Sequence, residues 1–254
     1  MTTIAIIPSR MGSTRFPGKP LEKINGIPMV GHCYFRTKMC RNIDRVYVAT
    51  CDQEIADYVS SIGGDFVMTS PSHDRATDRT AEAITKLEVE IGTIDTIIMV
   101  QGDEPLLNPL DIESLTDSLI KNDSVSIANL MSEIDSQDAF ESYNNVKVVC
   151  DSNNDALYLS REPIPSCWKG SSGVPRYNQI GIIGFKKEAL LRFNSQEQTT
   201  LEAIESIDMN RVLENGGKIR MIPSKNKYIG VDTPEEALEV DKLLKTDVFF
   251  EKYR

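Results

Sequence analysis

Arg10, Arg15 and Lys19 lie close together in the stretch Pro8-Ser9-Arg10-Met11-Gly12-Ser13-Thr14-Arg15-Phe16-Pro17-Gly18-Lys19-Pro20-Leu21, directly after the apolar run Ile4–Ile7. Cations in a Gly-, Ser- and Pro-rich loop at the carboxyl end of a buried strand sit where open α/β sheets bind ligands. Such a loop can cradle a polyanion. Gly12 and Ser13 would let backbone N–H groups approach phosphate oxygens, the arginines offer planar bidentate forks, and Lys19 a mobile point charge. The loop carries no G-x-G-x-x-G fingerprint and no Walker sequence, so it is a third design. A formal net charge of −10 argues against a broad nucleic-acid surface, which leaves a small phosphorylated ligand. The alternative is a basic loop solvated on all sides.

A second set follows the apolar strand Ile97–Val100, in Gln101-Gly102-Asp103-Glu104-Pro105. An acid there faces the same crevice as the basic loop. Magnesium takes oxygen ligands, usually one or two carboxylates with phosphates and water completing the shell. Asp103 fits one such position, and Asp232 in Gly230-Val231-Asp232-Thr233-Pro234 the other. Each has an ordinary alternative: Gly-Asp-Glu-Pro can be a plain turn, and Asp before Thr-Pro-Glu-Glu can be a helix cap.

The elements that must position these residues alternate through the first half. Strands are expected at Ile4–Ile7, Arg45–Thr50, Asp65–Thr69 and Thr96–Val100, and helices at Met29–Met39, Gln53–Ile62 and Thr77–Leu87. This is the parallel, doubly wound pattern. Thr50, Cys51 and Asp52 offer caps to the second helix, and Gly63-Gly64 closes it. From Val125 the texture changes to short strands at Val125–Leu130, Val146–Cys150 and Ala156–Ser160, a loop from Pro163 to Pro175, and a strand from Tyr177 to Phe185. A helix is expected over Leu201–Asn215, a strand over Ile219–Ile222, and a last helix after an Asp232/Thr233 cap with Pro234 in its first turn. The 254 residues are read as one domain, with about 125–190 forming a smaller inserted mixed-sheet lobe.

The five cysteines are spread without a C-x-x-C pair and are read as reduced thiols. Only His32 and His73 exist, so a zinc site is not expected and any metal should be oxygen-ligated. No apolar stretch reaches membrane-spanning length and no signal layout is seen. The expectation is a cytoplasmic protein that binds neither membrane nor nucleic acid.

The ordered series IPSRMGSTRFPGKPL, YVATCD, MTSPSHDRATDR, VQGDEPL, NVKVVCD, ALYLSREPIP, IGIIGF, LEAIESIDMNRVLENG and GVDTPEEA resembles the 3-deoxy-manno-octulosonate cytidylyltransferases, or CMP-Kdo synthetases, from about residue 4 to about residue 244. The resemblance implies an α/β, Rossmann-like nucleotide-diphospho-sugar transferase fold with a mostly parallel central sheet and a smaller dimerisation lobe. It also implies CTP and a sugar acid as substrates, Mg²⁺ as cofactor, pyrophosphate as product, and a homodimer serving lipopolysaccharide or capsule synthesis. On this reading Arg10, Arg15, Lys19 and Asp103 are catalytic. Arg10, Ser13, Lys19, Thr77, Arg79 and Gln101 bind the nucleotide, and Asp103 and Asp232 hold the metal. Arg161 meets the sugar acid, with Gln179, Phe185, Asp208 and Met209 nearby.

The chain departs from the family pattern in one region. His73-Asp74-Arg75-Ala76-Thr77-Asp78-Arg79 gains a cation and loses a glycine, Gln179 stands where a histidine is usual, and Ile183 and Phe185 occupy a stretch that usually carries tyrosine. Met209 replaces an amide. Sites built to hydrogen-bond hydroxyls discriminate by up to about 10⁴-fold or more, so these changes bear on the acceptor before they bear on CTP. Kdo, an amino-substituted Kdo or another sugar acid are the acceptors considered. The first loop also resembles spore-coat-polysaccharide-type cytidylyltransferases. A non-catalytic nucleotide-binding protein should have lost Asp103, Asp232, Lys19 or the arginines, and all are present.

Overall fold

The computed structural model describes residues 1–13, 15–170 and 173–254; Thr14 in the first loop and Ser171 and Ser172 in the Pro163–Pro175 loop lie outside the described residues. Strand β1 (Thr3–Ser9) is buried along its whole length. Ile4 and Ile6 pack into one core layer, Ala5 and Ile7 into the other, as a strand covered on both faces requires. A short ribbon, β2 (Lys23–Ile24) and β3 (Ile27–Pro28), leads into α1 (Met29–Lys38). Then β4 (Arg45–Thr50), α2 (Gln53–Ser61), β5 (Asp65–Met68), α3 (Ala76–Ile91), β6 (Thr96–Val100) and α4 (Pro109–Ile120) alternate. The second half runs β7 (Ile127–Glu133), α5 (Gln137–Glu141), β8 (Lys147–Cys150), β9 (Ala156–Ser160), β10 (Tyr177–Lys186), α6 (Lys187–Ser195), α7 (Thr200–Glu205), α8 (Met209–Glu214), β11 (Arg220–Ser224) and α9 (Pro234–Leu244).

The central sheet has the order β11-β7-β10-β6-β1-β4-β5, with β8 and β9 attached beside β10. All pairings along this path are parallel except those of β10, which runs antiparallel to β6 and β7. The sheet is therefore mainly parallel, as the sequence pattern implied. Strands β7 and β10 belong to the central sheet, so of the 125–190 stretch assigned to a smaller lobe only β8 and β9 extend away from its path. Helices α1, α2 and α4 cover one face through Val30, Ile55, Ile112 and Leu115. Helices α3, α6 and α8 cover the other through Ile84, Leu190 and Val212.

Three local expectations change. Helix α4 was not anticipated, although Asn108 caps it by accepting from the Leu110 N–H and Pro109 opens it. Helix α6 was likewise not anticipated. The helix expected over Leu201–Asn215 is broken at Ser206, whose φ of 54° is left-handed, and this divides it into α7 and α8. Asp52 occupies the cap position of α2, but its carboxylate accepts instead from the Met11 N–H at 2.7 Å. Gly63 closes α2 with a φ of 68°, which glycine adopts without strain.

The carboxyl-terminal residues clasp α1. Arg36 Nη2 donates to Asp247 at 2.6 Å and its Nε to the Tyr253 hydroxyl at 3.0 Å. That hydroxyl lies 2.8 Å from His32 Nδ1, and His32 Nε2 lies 2.8 Å from the Ile24 carbonyl. A carbonyl only accepts, so Nε2 carries the proton and Nδ1 accepts from the tyrosine, the pattern of a neutral ring. Burial first, then the Arg36 charge, push the His32 pKa down to about 4 against the pull of the Ile24 carbonyl.

Two outcomes follow. Phe185 is wholly buried in the core layer beneath α3 and α6, which corrects its expected substrate role: its side chain faces packed helices. Phe185→Ala should cost about 3–5 kcal/mol in urea unfolding, with CTP affinity retained by the fraction that folds. His32 in the unfolded chain titrates near its ordinary value of about 6.5. Between that value and about 4 the unfolded state binds a proton that the folded state does not. Stability should therefore fall as the pH drops through this window, by about 3 kcal/mol in full, and His32→Gln should flatten that part of the urea-midpoint profile.

Candidate active site

Two adjoining cavities open at the carboxyl ends of β1 and β6. The smaller, about 500 Å³, is lined by the first loop through Arg10, Gly12, Ser13 and Lys19. The larger, about 1100 Å³, lies between β10, the α7–α8 break and the segment before α9. Arg15, Arg75, Gln101, Asp103 and Asp232 line both, so the two form one cleft.

Lys19 stands at the junction. Its ammonium donates to Asp103 at 2.7 Å, Asp232 at 2.9 Å and the Val231 carbonyl at 3.0 Å. Burial alone would lower its pKa, but the two carboxylates outweigh burial and hold the pKa above its ordinary value, so Lys19 is charged. Arg15 Nη2 meets the other Asp232 oxygen at 2.8 Å. The two readings of Asp232 separate here. Thr233 caps α9 in a capping box with Glu236, and the Asp232 N–H donates to Glu236 at 2.7 Å. The helix needs nothing from the Asp232 side chain, which is therefore free to face the cleft. The Val231 N–H donates to the Asp103 carbonyl at 2.8 Å, which ties the two acid-bearing segments together.

The cations of the first loop are held but not neutralised equally. Arg10 reaches the His73 carbonyl at 3.3 Å and the exposed Asp74 at 3.4 Å, and Ser13 Oγ accepts from the Phe16 N–H at 3.3 Å. The Met11 N–H to Asp52 bond anchors the loop to the end of β4. Arg79 borders the smaller cavity, but it is buried and its guanidinium donates to Thr69, Ser70 and His73. Its guanidinium is thus committed to holding that wall. Thr77, expected beside the nucleotide, is instead buried and lines neither cavity, and its hydroxyl donates to Asp208 at 2.8 Å. Both side chains come from the first turn of α3, which turns inward at this point.

Around the larger cavity Gln101 lies against the backbone of β10. Its N–H donates to the Gly181 carbonyl at 2.8 Å, and the Gly181 N–H donates to Glu104 at 3.2 Å. Burial first, then the Asp103 charge, push Glu104 up to about 8, so it is mostly protonated at neutral pH. Arg161 donates to the carbonyls of Tyr143 (2.7 Å), Glu205 (2.8 Å) and Ser206 (3.4 Å). Carbonyls orient the guanidinium without cancelling its charge. Wholly buried Lys147 donates to the carbonyls of Ser142, Asn145 and Arg161 and so fixes the loop bearing Arg161. Gln179, Asp208 and Met209 line this cavity, Met209 from a buried position. Asp208 is already bonded to Arg75 through one oxygen and to Thr77 through the other. Arg75, the cation gained in this sequence, thus divides the two cavities. Asp52, Lys147 and Glu104 are supports that the sequence reading missed. Only Glu104 carried a signal, as the neighbour of Asp103.

A mainly parallel sheet with a basic first loop, an acid just past the carboxyl end of β6 and a second acid before α9 that meets it define a nucleotidyltransferase site. The cytidylyltransferase family matches residues 4–219. The 3-deoxy-manno-octulosonate cytidylyltransferase of Thermodesulfovibrio yellowstonii is 43% identical over 254 residues, covering 97% of this chain and 99% of its own. That of Geobacter metallireducens is 40% identical, covering 93% and 95%. A solved CMP:2-keto-3-deoxy-manno-octonic acid synthetase complexed with CTP superimposes with a TM-score of 0.89 at 32% identity, covering 96% of this chain and 99% of the other. The chain belongs to the cytidylyltransferase family, among the 3-deoxy-manno-octulosonate cytidylyltransferases.

The packing of Gln101 on glycine gives a direct check. A Cβ at Gly181 would lie 2.9 Å from Gln101 Cδ and 3.1 Å from its Cβ and Cγ, closer than ordinary contact allows. Gly181→Ala should displace Gln101 at a cost of about 1–3 kcal/mol, read by calorimetry as CTP binding weakened by on the order of tenfold.

Proposed function

We propose that this enzyme transfers the cytidylyl group of CTP to the sugar acid 3-deoxy-manno-octulosonate, giving CMP-Kdo and pyrophosphate. The observation that carries the reading is the shared Lys19 bridge between Asp103 and Asp232, set where the cavity lined by the basic first loop opens into a larger one. The full-length likeness to named relatives supports the same reaction.

In this reading Arg10, Arg15 and Lys19 oppose the triphosphate charge, with Ser13 and Gln101 beside them on the cavity walls. Arg161, oriented by carbonyls and not neutralised by them, takes the sugar carboxylate through two of its guanidinium N–H groups. The anomeric hydroxyl attacks the α-phosphorus in line. A new oxygen–phosphorus bond forms as the bond to the β-phosphate breaks, the hydroxyl proton passes to water, and the cations of the first loop meet the charge growing on pyrophosphate. A histidine base is not needed: His73 borders the smaller cavity with its Nε2 on Glu82 at 2.5 Å. Positioning two bound reactants supplies much of the rate.

The donor set also fits a magnesium ion. Two carboxylates converge closely enough to share one ammonium, and magnesium commonly takes one or two protein carboxylates with phosphates and water. Asp103 and Asp232 would hold it. When bound it would neutralise phosphate charge and acidify a nearby hydroxyl. Cytoplasmic location, a homodimer and a place in lipopolysaccharide or capsule assembly complete the proposal. No helix among the described residues is long and apolar enough to cross a membrane.

The reading is tested by pyrophosphate release from CTP, UTP and ATP with a panel of sugar acids. Release should require CTP and Kdo or a close relative, and chelation of divalent ions should abolish it. Asp103→Asn should lower turnover by at least about 100-fold with the urea midpoint little changed. Undiminished turnover in that variant would remove Asp103 from the metal site.

A further inference from the structure

Strand β10 carries an irregularity where it crosses the floor of the larger cavity. Its register with β7 jumps from Gln179 opposite Met131 to Ile183 opposite Asn129. Three residues of β10 therefore face a single residue of β7, and carbonyls that a regular ladder would pair are released. Asn129, wholly buried, answers them with its side chain. Its Nδ2 donates to the carbonyls of Ile180 (2.8 Å), Ile182 (2.9 Å) and Leu130 (3.2 Å).

This fixes which way the amide points. Reversing it would set Oδ1 against three carbonyl oxygens, acceptor against acceptor in a buried place, where such mismatches are most costly. Oδ1 must therefore face the other way, and there the Gln179 side chain donates to it from Nε2 at 2.6 Å. The second amide is fixed in turn, since turning Gln179 over would bring two oxygens together at that distance. Its backbone is held as well, by the Gln179 N–H to the Val146 carbonyl at 2.7 Å. Gln179 lines the cavity, and no donor among the described residues reaches its Oε1.

We propose that Asn129 is a positioning residue that locks Gln179 as a hydrogen-bond acceptor in the sugar cavity, so that the enzyme selects sugar acids carrying a donor group, hydroxyl or ammonium, at one position. The proposal rests on the sugar-acid function given above and adds a rule of polarity to it. An unlocked glutamine can present either end of its amide and would take a donor or an acceptor. A locked one takes a donor, and an ether oxygen or fluorine at that position leaves an acceptor facing an acceptor.

The test uses the full chain with CTP and a set of sugar acids in which each hydroxyl is replaced in turn by hydrogen, fluorine, methoxy or amino, reading kcat/KM from pyrophosphate release. At one position the wild-type enzyme should accept hydroxyl and amino compounds. It should disfavour the hydrogen, fluoro and methoxy compounds by about tenfold or more. The amino arm separates an ammonium partner from a hydroxyl partner. Gln179→Leu, which leaves Asn129 on its three carbonyls, should collapse that ratio to about twofold. Asn129→Ser, checked for folding by circular dichroism, should restore turnover of the methoxy compound relative to the hydroxyl compound, because the freed glutamine can turn and donate. A purely structural loss would depress every sugar alike and leave the ratio untouched. A wild-type enzyme that tolerates all replacements equally, or an intact ratio in Gln179→Leu or in folded Asn129→Ser, would overturn the proposal. Failure of every sugar acid with CTP is a different result and would overturn the function itself together with this rule.

Discussion

One ammonium group joins three remote parts of the chain. Lys19 comes from the loop after β1, Asp103 from the end of β6, and Asp232 from the turn before α9. Two carboxylates so close together would repel in a half-buried cleft, and the cation between them is what lets both remain. The rest of the cleft is arranged around that bridge. Thr233 and Glu236 satisfy the start of α9 so that Asp232 can turn inward. The Asp52 carboxylate, withdrawn from capping α2, holds the Met11 N–H and so the loop that delivers Lys19.

The second cavity is built by a different rule. Its charged and polar groups are oriented mainly by backbone carbonyls: Arg161 by those of Tyr143, Glu205 and Ser206, and Lys147 by those of Ser142, Asn145 and Arg161. A carbonyl fixes direction while leaving formal charge intact, so Arg161 stays a cation at the cavity wall, while Lys147, buried behind it, supports its loop. Arg75 is the exception, since it is paired with Asp208 and lies near Glu202. It therefore acts as a neutral partition between the two spaces.

Much of this is legible in the sequence. Buried strands of a parallel sheet are nearly continuous apolar runs, and the loop chemistry after β1 and β6 stands directly behind two of them. What escaped has physical reasons. Asp232 and Thr233 are both competent caps, and only the fold shows which one is spent on the helix. Phe185 lies on a strand covered on both faces, where period-two alternation does not separate core from cavity. Strands β7 and β10 join the central sheet through pairings far apart in sequence, which the short, turn-rich strands after Val125 do not announce. Apolar spacing runs unbroken through Ser206, and a serine gives little warning of a left-handed backbone. Helix α4 did carry its signals, Asn108-Pro109 followed by Ile112, Leu115 and Leu119. The supports of Gln179 could not be inferred, because they depend on carbonyls released by an irregular register.

The bridge also has a temporal meaning. Lys19 and Asp103 are 84 positions apart, whereas Lys19 and Asp232 are 213 apart. On the ribosome β1, β4, β5 and β6 can pair while β7, β10 and β11 are still unmade, so the cleft first exists with one acid facing the lysine. Its second acid arrives only with the segment leading into α9. A chain that has emerged only through β6 thus holds the lysine and one acid, and the paired carboxylates form only once the segment leading into α9 has followed.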